Sequence, residues 1–277
     1  MGTARVLGPD LPAAPLGAMR LVVAAAGLLL VVRLTGPGRA GLPRALRRPA
    51  AVVAGVGMAG FQVTFLGAVV VAGVAVGTLV AIGSVPLFTA AATRVVSRTW
   101  VVATSTAVVG LTLLVLGGDE SGPLRLPGVL LALGAGASYS TYVVASKSRV
   151  TAGEPPDLVA ASAFTWAALL LAPALLLGDP SEMAAPGALA TAAYLGLVPT
   201  ALAYLLLNRG LSRLPASTVG TLGLAEPVVA TCLGVLVLGE RLTPAATAGA
   251  ALVLAALALL ARATAQDGRP RTRDSAS

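Results

Sequence analysis

The sequence contains no histidine and only one cysteine. Without histidine, acid–base chemistry near neutral pH loses its usual side chain, and no paired acidic motif takes its place. A single cysteine, Cys232, excludes an intramolecular disulfide, and no Cys/His cluster offers a metal site. The chain is therefore read as a non-enzyme with no cofactor. Charge is also scarce, at 11% of residues, where soluble domains average about 25%. Aromatics make up only 4%. What fills the chain instead is Ala, Val, Leu and Gly: 57% is hydrophobic and mean hydropathy is +0.91. This is the composition of an all-α, polytopic transmembrane helix bundle. Its 32 glycines and 19 prolines are better tolerated in membrane helices than in soluble ones, and small residues let such helices approach closely. The net charge of +8 sits in short loops between apolar runs. It reads as a topology signal rather than a nucleic-acid surface.

Nine spans are expected, at residues 12–33, 50–72, 74–93, 100–116, 126–146, 158–177, 187–207, 216–238 and 245–262. The apolar stretch 50–93 is too long for one helix of about 20 residues, so it is divided near Gly73. Met1 to Leu11 lacks the basic start, apolar core and cleavage site of a signal peptide. Residues 263–277 form a polar, basic tail expected to be disordered. The loop charges alternate. One set holds Arg33, Arg39, Arg44, Arg47 and Arg48, then Arg94 and Arg98, Lys147 and Arg149, Arg209 and Arg213, and finally Arg262 with the tail arginines. The other holds Asp119, Glu120, Asp179, Glu182 and Glu240 against Arg125 and Arg241. The positive-inside rule puts the first set and the C-terminus in the cytoplasm, and the N-terminus outside. Removing the division near Gly73 would move Arg94 and Arg98 to the acidic side, so the charges support it.

The stretch from Pro215 to Leu238 carries one carboxylate, Glu226, followed by Pro227. A charge at bilayer depth is costly and usually faces a cavity or a partner, and the proline loosens the helix beside it. Arg20, also inside a span, is its candidate partner; the alternative is that Arg20 snorkels to the outer surface. Gln62, Ser84, Tyr139, Ser140, Tyr142, Thr165, Tyr204 and Asn208 are further polar groups on apolar helices. A pocket needs a few of them to converge, whereas each one singly is more often interhelical glue. Trp100, Tyr139 and Tyr204 serve equally well as interface anchors. The candidate substrate or proton site is thus Glu226, Arg20, Gln62, Ser84, Tyr142, Tyr204 and Asn208. Pro86 and Pro227 are candidate gating breaks, with a static kink as the bland alternative.

Val76-Gly77-Thr78-Leu79 ahead of Pro86 echoes Val219-Gly220-Thr221-Leu222 ahead of Pro227. Two halves follow: residues 1–120 with four spans and 121–262 with five. Odd-span repeats lie inverted in the membrane and place the substrate site at their interface.

The stretch from Pro199 to Thr243 resembles the second half of an EamA-domain permease of the drug/metabolite transporter superfamily. The matching features are the Tyr-containing span ending in Asn208-Arg209, the Pro215-Ala216-Ser217 turn, Glu226-Pro227 and Gly239-Glu240-Arg241. Pro15 to Val32, with Met19-Arg20, is similar to the family's second helix, and Gly83 to Phe88 to its fourth. The resemblance implies an inverted repeat of five plus five helices with both termini cytoplasmic. Here the family's first helix has no counterpart, which leaves four plus five, and no Gly-Glu-Arg follows Pro86. The expected function is an inner-membrane carrier that moves small organic metabolites, amino acids or drugs outward by alternating access, with Glu226 as the candidate proton-coupling group. The lipid bilayer, a small-molecule substrate and protons are the partners; nucleic acid is not. The alternative is a truncated, non-transporting membrane paralogue that binds or supports another protein.

Overall fold

The computed structural model describes residues 12–34, 41–94, 97–116, 126–226, 228–229 and 243–267. Every regular element among the described residues is helical. In chain order these are α1 (Ala13–Leu34), α2 (Leu42–Leu46), α3 (Pro49–Val74), α4 (Val76–Thr93), α5 (Arg98–Leu116) and α6 (Leu126–Thr151). They continue with α7 (Pro156–Leu171, extended by a 3-10 turn, Ala172–Leu177), α8 (Pro180–Met183), α9 (Pro186–Leu211), α10 (Ala216–Leu222) and α11 (Pro244–Asp267). Six of them, α1, α3, α4, α6, α7 with its extension and α9, are long and apolar enough to cross a membrane. Shorter apolar helices lie at Arg98–Leu114 and Pro244–Leu260. The eighth expected span is described only as far as residue 229, and Pro227, Cys232, Glu240 and Arg241 lie outside the described residues.

Proline sets the helix starts. Pro49, Pro156, Pro186 and Pro244 each open a helix. At that position the missing N–H would have had no partner anyway, and the fixed φ already suits a helix. The division at Gly73 is present: its φ of 83° and ψ of 164° interrupt an otherwise helical run, a conformation that only glycine adopts cheaply. Beyond it the chain turns back tightly. A Cβ at Gly77 would sit 3.2 Å from the Ala68 carbonyl carbon and the Val69 nitrogen. The last helix runs on to Asp267 rather than stopping at Arg262, because Ala263-Thr264-Ala265-Gln266 holds no breaker before Gly268.

The chain packs as two units. The first comprises residues 1–93 and 122–220; the second comprises 94–121 and 221–277. The core of the first gathers Leu21, Leu28 and Val32 of α1, Met58 of α3, Tyr142 and Val143 of α6 and Phe164 of α7. Glycine brings its helices together. A Cβ at Gly57 of α3 would lie 2.7 Å from the Ser138 carbonyl oxygen and 2.8 Å from the Tyr142 nitrogen of α6. In the second unit α5 and α11 meet the same way, with a Cβ at Gly110 placed 2.7 Å from the Gly249 carbonyl oxygen. The first unit draws α1, α3 and α4 from the first half of the sequence and α6, α7 and α9 from the second. The second unit takes the last helix of each half.

Candidate substrate site

Arg20 of α1 points its guanidinium at α3, where Nη2 donates to Gln62 Oε1. Gln62 is 6% exposed. Gly17, one turn before Arg20, leaves room for the amide: a Cβ there would be 2.8 Å from Gln62 Nε2. The Arg20 Nε is buried and has no acceptor. Among the described residues of this unit, no carboxylate stands at ion-pair distance from Arg20. Arg20 lies about 20 Å along α1 from Arg33, and Gln62 about 21 Å along α3 from Arg48, at 1.5 Å per residue. Both therefore sit well inside a hydrocarbon core of about 30 Å.

Beside this pair the scarce aromatics converge. Three of the four phenylalanines and three of the four tyrosines form one connected cluster drawn from α3, α6, α7 and α9. Phe61, the sequence neighbour of Gln62, stacks on Phe65 and meets Tyr139, both at 5.3 Å. Tyr142 contacts Tyr204 at 5.5 Å and Phe164 at 6.1 Å, and Phe164 meets Tyr204 at 4.7 Å. The tilted and edge-on geometries are those that aromatic quadrupoles favour. Tyr204 is also within electrostatic range of Arg20, which links the polar pair to the cluster.

A second polar link leads away from the cluster. Asn208 is fully buried. Its Nδ2 donates to Tyr142 Oη at 2.5 Å and to the Tyr204 carbonyl at 2.8 Å, while its Oδ1 is buried without a donor. At the nearby helix ends, charges that the sequence reads only as topology signals are paired. Lys147 Nζ donates to the Leu211 carbonyl at 2.7 Å. Arg149, 3% exposed, donates to both Glu154 carboxylate oxygens and to Ser162 Oγ. Glu154 also takes Arg48 Nε at 3.2 Å, and Arg209 grips Asp157 through two bonds of 2.9 Å.

A model of the EamA-like transporter family matches residues 126–262. Over 271 residues the chain is 38% identical to the uncharacterized transporter YwfM of Bacillus subtilis (strain 168), covering 95% of this chain and 89% of that one. The chain belongs to the EamA-like transporter family. It is therefore a multi-pass membrane transporter for a small-molecule substrate. It is also 39% identical over 155 residues to the threonine/homoserine exporter RhtA of Escherichia coli (strain K12), an overlap of 54% of this chain and half of that protein. A protein known from its crystal structure shares the fold at a TM-score of 0.77 and 23% identity, covering 97% of this chain and 93% of that one.

Within this EamA-like fold, the structure brings together five of the sequence-predicted site residues: Arg20, Gln62, Tyr142, Tyr204 and Asn208. Ser84 serves packing instead. Its hydroxyl donates to the Ala81 carbonyl of its own helix, and it fills the space beside Gly136, where a Cβ would lie 2.0 Å from Ser84 Oγ. Pro86 was expected to mark a break, but α4 keeps helical dihedral angles through it. Neighbours support that stretch. Ser140 Oγ donates to the Val85 carbonyl at 3.1 Å, Thr89 Oγ1 donates to the Val85 and Pro86 carbonyls, and Gly220 packs on Thr89. Tyr139 and Tyr204 join the internal cluster, and Trp100 is buried at 8% exposure.

Glu226 belongs to the second unit and Arg20 to the first. The helix is broken just before Glu226. Leu224 N–H bonds the Thr221 carbonyl and Glu226 N–H bonds the Gly223 carbonyl, both in i→i+3 turns. A proline at 227 has no N–H to offer the Gly223 carbonyl, so the Glu226 N–H takes that acceptor and the turn tightens.

Sequence reasoning missed one further break. In α9, residues Leu197–Leu202 form a π-helical segment. Pro199 cannot donate to the Leu195 carbonyl, and Thr200 Oγ1 takes that acceptor at 2.7 Å. The segment lies against α1 beside Arg20: a Cβ at Gly196 would meet Val23 Cγ1 at 2.6 Å and the Arg20 carbonyl at 2.9 Å. A proline in mid-span was the signal. Phe61 and Phe164 were also missed, since an apolar residue on an apolar helix carries no mark of its partner.

Proposed function

We propose that this transporter exports small organic metabolites across the inner membrane by alternating access, with the Arg20–Gln62 pair and the aromatic cluster as its substrate site. One observation carries the reading: a half-buried cation with an open donor lies at membrane depth within electrostatic range of Tyr204, a member of the cluster that holds most of the chain's aromatic side chains. Few convergent polar groups set in an apolar wall are what a small-molecule site requires. Helices of both sequence halves line it, as expected of an inverted-repeat carrier. The outward direction draws support from the exporter named among the relatives. The end bearing Arg48, Lys147, Arg149 and Arg209 is cytoplasmic by the positive-inside rule, and the C-terminus lies on the same side. Glu226 is the proposed proton-exchanging group. The likeness to a transporter over most of the chain does not favour a non-transporting role.

Comparing the extracellular metabolites of cells that lack the chain with those of cells that overproduce it tests the export reading. A cargo that rises outside the overproducing cells, and falls again with Tyr204→Ala, is the expected result. Identical profiles would refute it. In vesicle flux, Glu226→Gln should flatten the pH dependence; an unchanged profile removes Glu226 as the coupling group.

A further inference from the structure

We infer that the ligand presents a carboxylate to Arg20, so that the site takes organic acids or zwitterions rather than cations or neutral amines. This rests on the export reading and deepens it. Arginine carries five N–H donors and no acceptor. One goes to Gln62 Oε1, and the buried Nε has none to receive it. An ionised group held away from water without a partner is costly, and in membrane segments such groups mark ligand pathways. No carboxylate of the same unit, among the described residues, reaches Arg20. The acidic side chains Glu154 and Asp157 are instead committed to Arg48, Arg149 and Arg209. Gln62 holds one edge of the guanidinium and leaves donors for a planar, two-oxygen acceptor, the geometry in which arginine binds carboxylate best. Tyr204, within electrostatic range of Arg20, joins Tyr139 and Phe61 in one ring cluster, which would cover the ligand's carbon skeleton.

The test uses the full chain, purified and reconstituted in nanodiscs, with matched ligand pairs that differ only in the acid. These are L-threonine and L-threoninol, L-phenylalanine and L-phenylalaninol, and 3-phenylpropionate and 3-phenylpropanol. Affinity is read by calorimetry, and ligand-induced thermal shift checks that each variant is folded. At least one acid should bind, and its alcohol about 10- to 100-fold more weakly, the span expected for a hydrogen bond to a charged group. Arg20→Gln should erase that difference, while Arg20→Lys, which keeps the charge but loses the fork, should retain part of it. Alcohols binding as well as acids, no acid binding at all, or wild-type affinity in R20Q would overturn the proposal. So would recovery of affinity in R20Q/E226Q, which would make Arg20 a counter-ion rather than an anchor. If cells export a cargo without a carboxylate, only the substrate class falls. If they export nothing, the export reading falls with it.

Discussion

Glu154 holds two arginines of very different burial, and that contrast makes a sharp prediction. Side-chain exposure is 2% for Arg149, 10% for Glu154 and 57% for Arg48. Glu154→Ala leaves the Arg149 guanidinium buried with Ser162 Oγ as its remaining acceptor among the described residues. Removing one member of a buried pair costs about 3–5 kcal/mol, because the other charge stays out of water uncompensated. Arg48→Ala removes the other ion pair to the same carboxylate, but from a solvated partner, and should cost about 0–1 kcal/mol. Taking roughly 2–4 °C per kcal/mol for a chain of this size, E154A should lower the melting midpoint by about 6–20 °C and R48A by about 4 °C at most. Fluorescence-detected size exclusion of heated, detergent-solubilised protein reads both. The double variant R149M/E154M should recover most of the loss, since replacing a buried pair with apolar side chains is often neutral or stabilising. Equal midpoints for E154A and R48A, or a double variant as weak as E154A, would refute the assignment of the cost to an orphaned Arg149.

Gly57→Ala sets a methyl group against backbone atoms of α6 at 2.7 and 2.8 Å. It should destabilise the protein by about 1–3 kcal/mol in the same assay, since well-packed helices cannot yield cheaply. Gly210→Ala meets nothing within 4 Å and should stabilise by about 0.4–1 kcal/mol by restricting the unfolded chain. Tyr142→Phe deprives Asn208 Nδ2 of its 2.5 Å acceptor and should cost about 1–3 kcal/mol; an unchanged midpoint would argue that the amide is not oriented by the phenol.

The helices were legible because membrane length and hydropathy are coarse, additive signals. The 50–93 run had to divide, and Gly73 was the residue able to adopt the conformation required. Loop charge served as an independent check on the same division. The site was legible only where chemistry stands out from its background: Arg20, Gln62, Tyr142, Tyr204 and Asn208 are polar on apolar helices and converge. Phe61 and Phe164 are not distinguishable in that way. In a bilayer both the packed face and the outer face of a helix are apolar, so periodicity does not say which side faces in. Arg149 shows the opposite failure. Its place among loop charges hid the fact that Glu154, a few residues later, lets it be buried. At Glu226 the local break followed from Pro227, but burial depends on what the helix packs against, and no single span records that.

The scarcity of aromatics and the abundance of glycine act together at the site. On α3, Gly55 and Gly57 lie within three turns of Phe61, Gln62 and Phe65; on α6, Gly136 comes just before Tyr139 and Tyr142. Where glycine faces a neighbour, backbones nearly touch: a Cβ at Gly55 would lie 2.3 Å from Trp166 Cβ. Such approaches leave no room for a large ligand. Where the aromatics follow, ring centroids are held 4.7–6.4 Å apart, and helix separation is set by side chains that can slide or tilt. The Gly57 contact reaches the backbone of Tyr142 itself, so the ring's root is fixed while its face and hydroxyl address Tyr204 and Asn208. A binding surface gains from this arrangement, because side chains anchored on rigid helices lose little entropy when a ligand arrives. Had the aromatics been spread evenly, the glycine seams would have been wedged open and the cluster dissolved at once. Their rarity elsewhere in the chain is therefore a condition of the site.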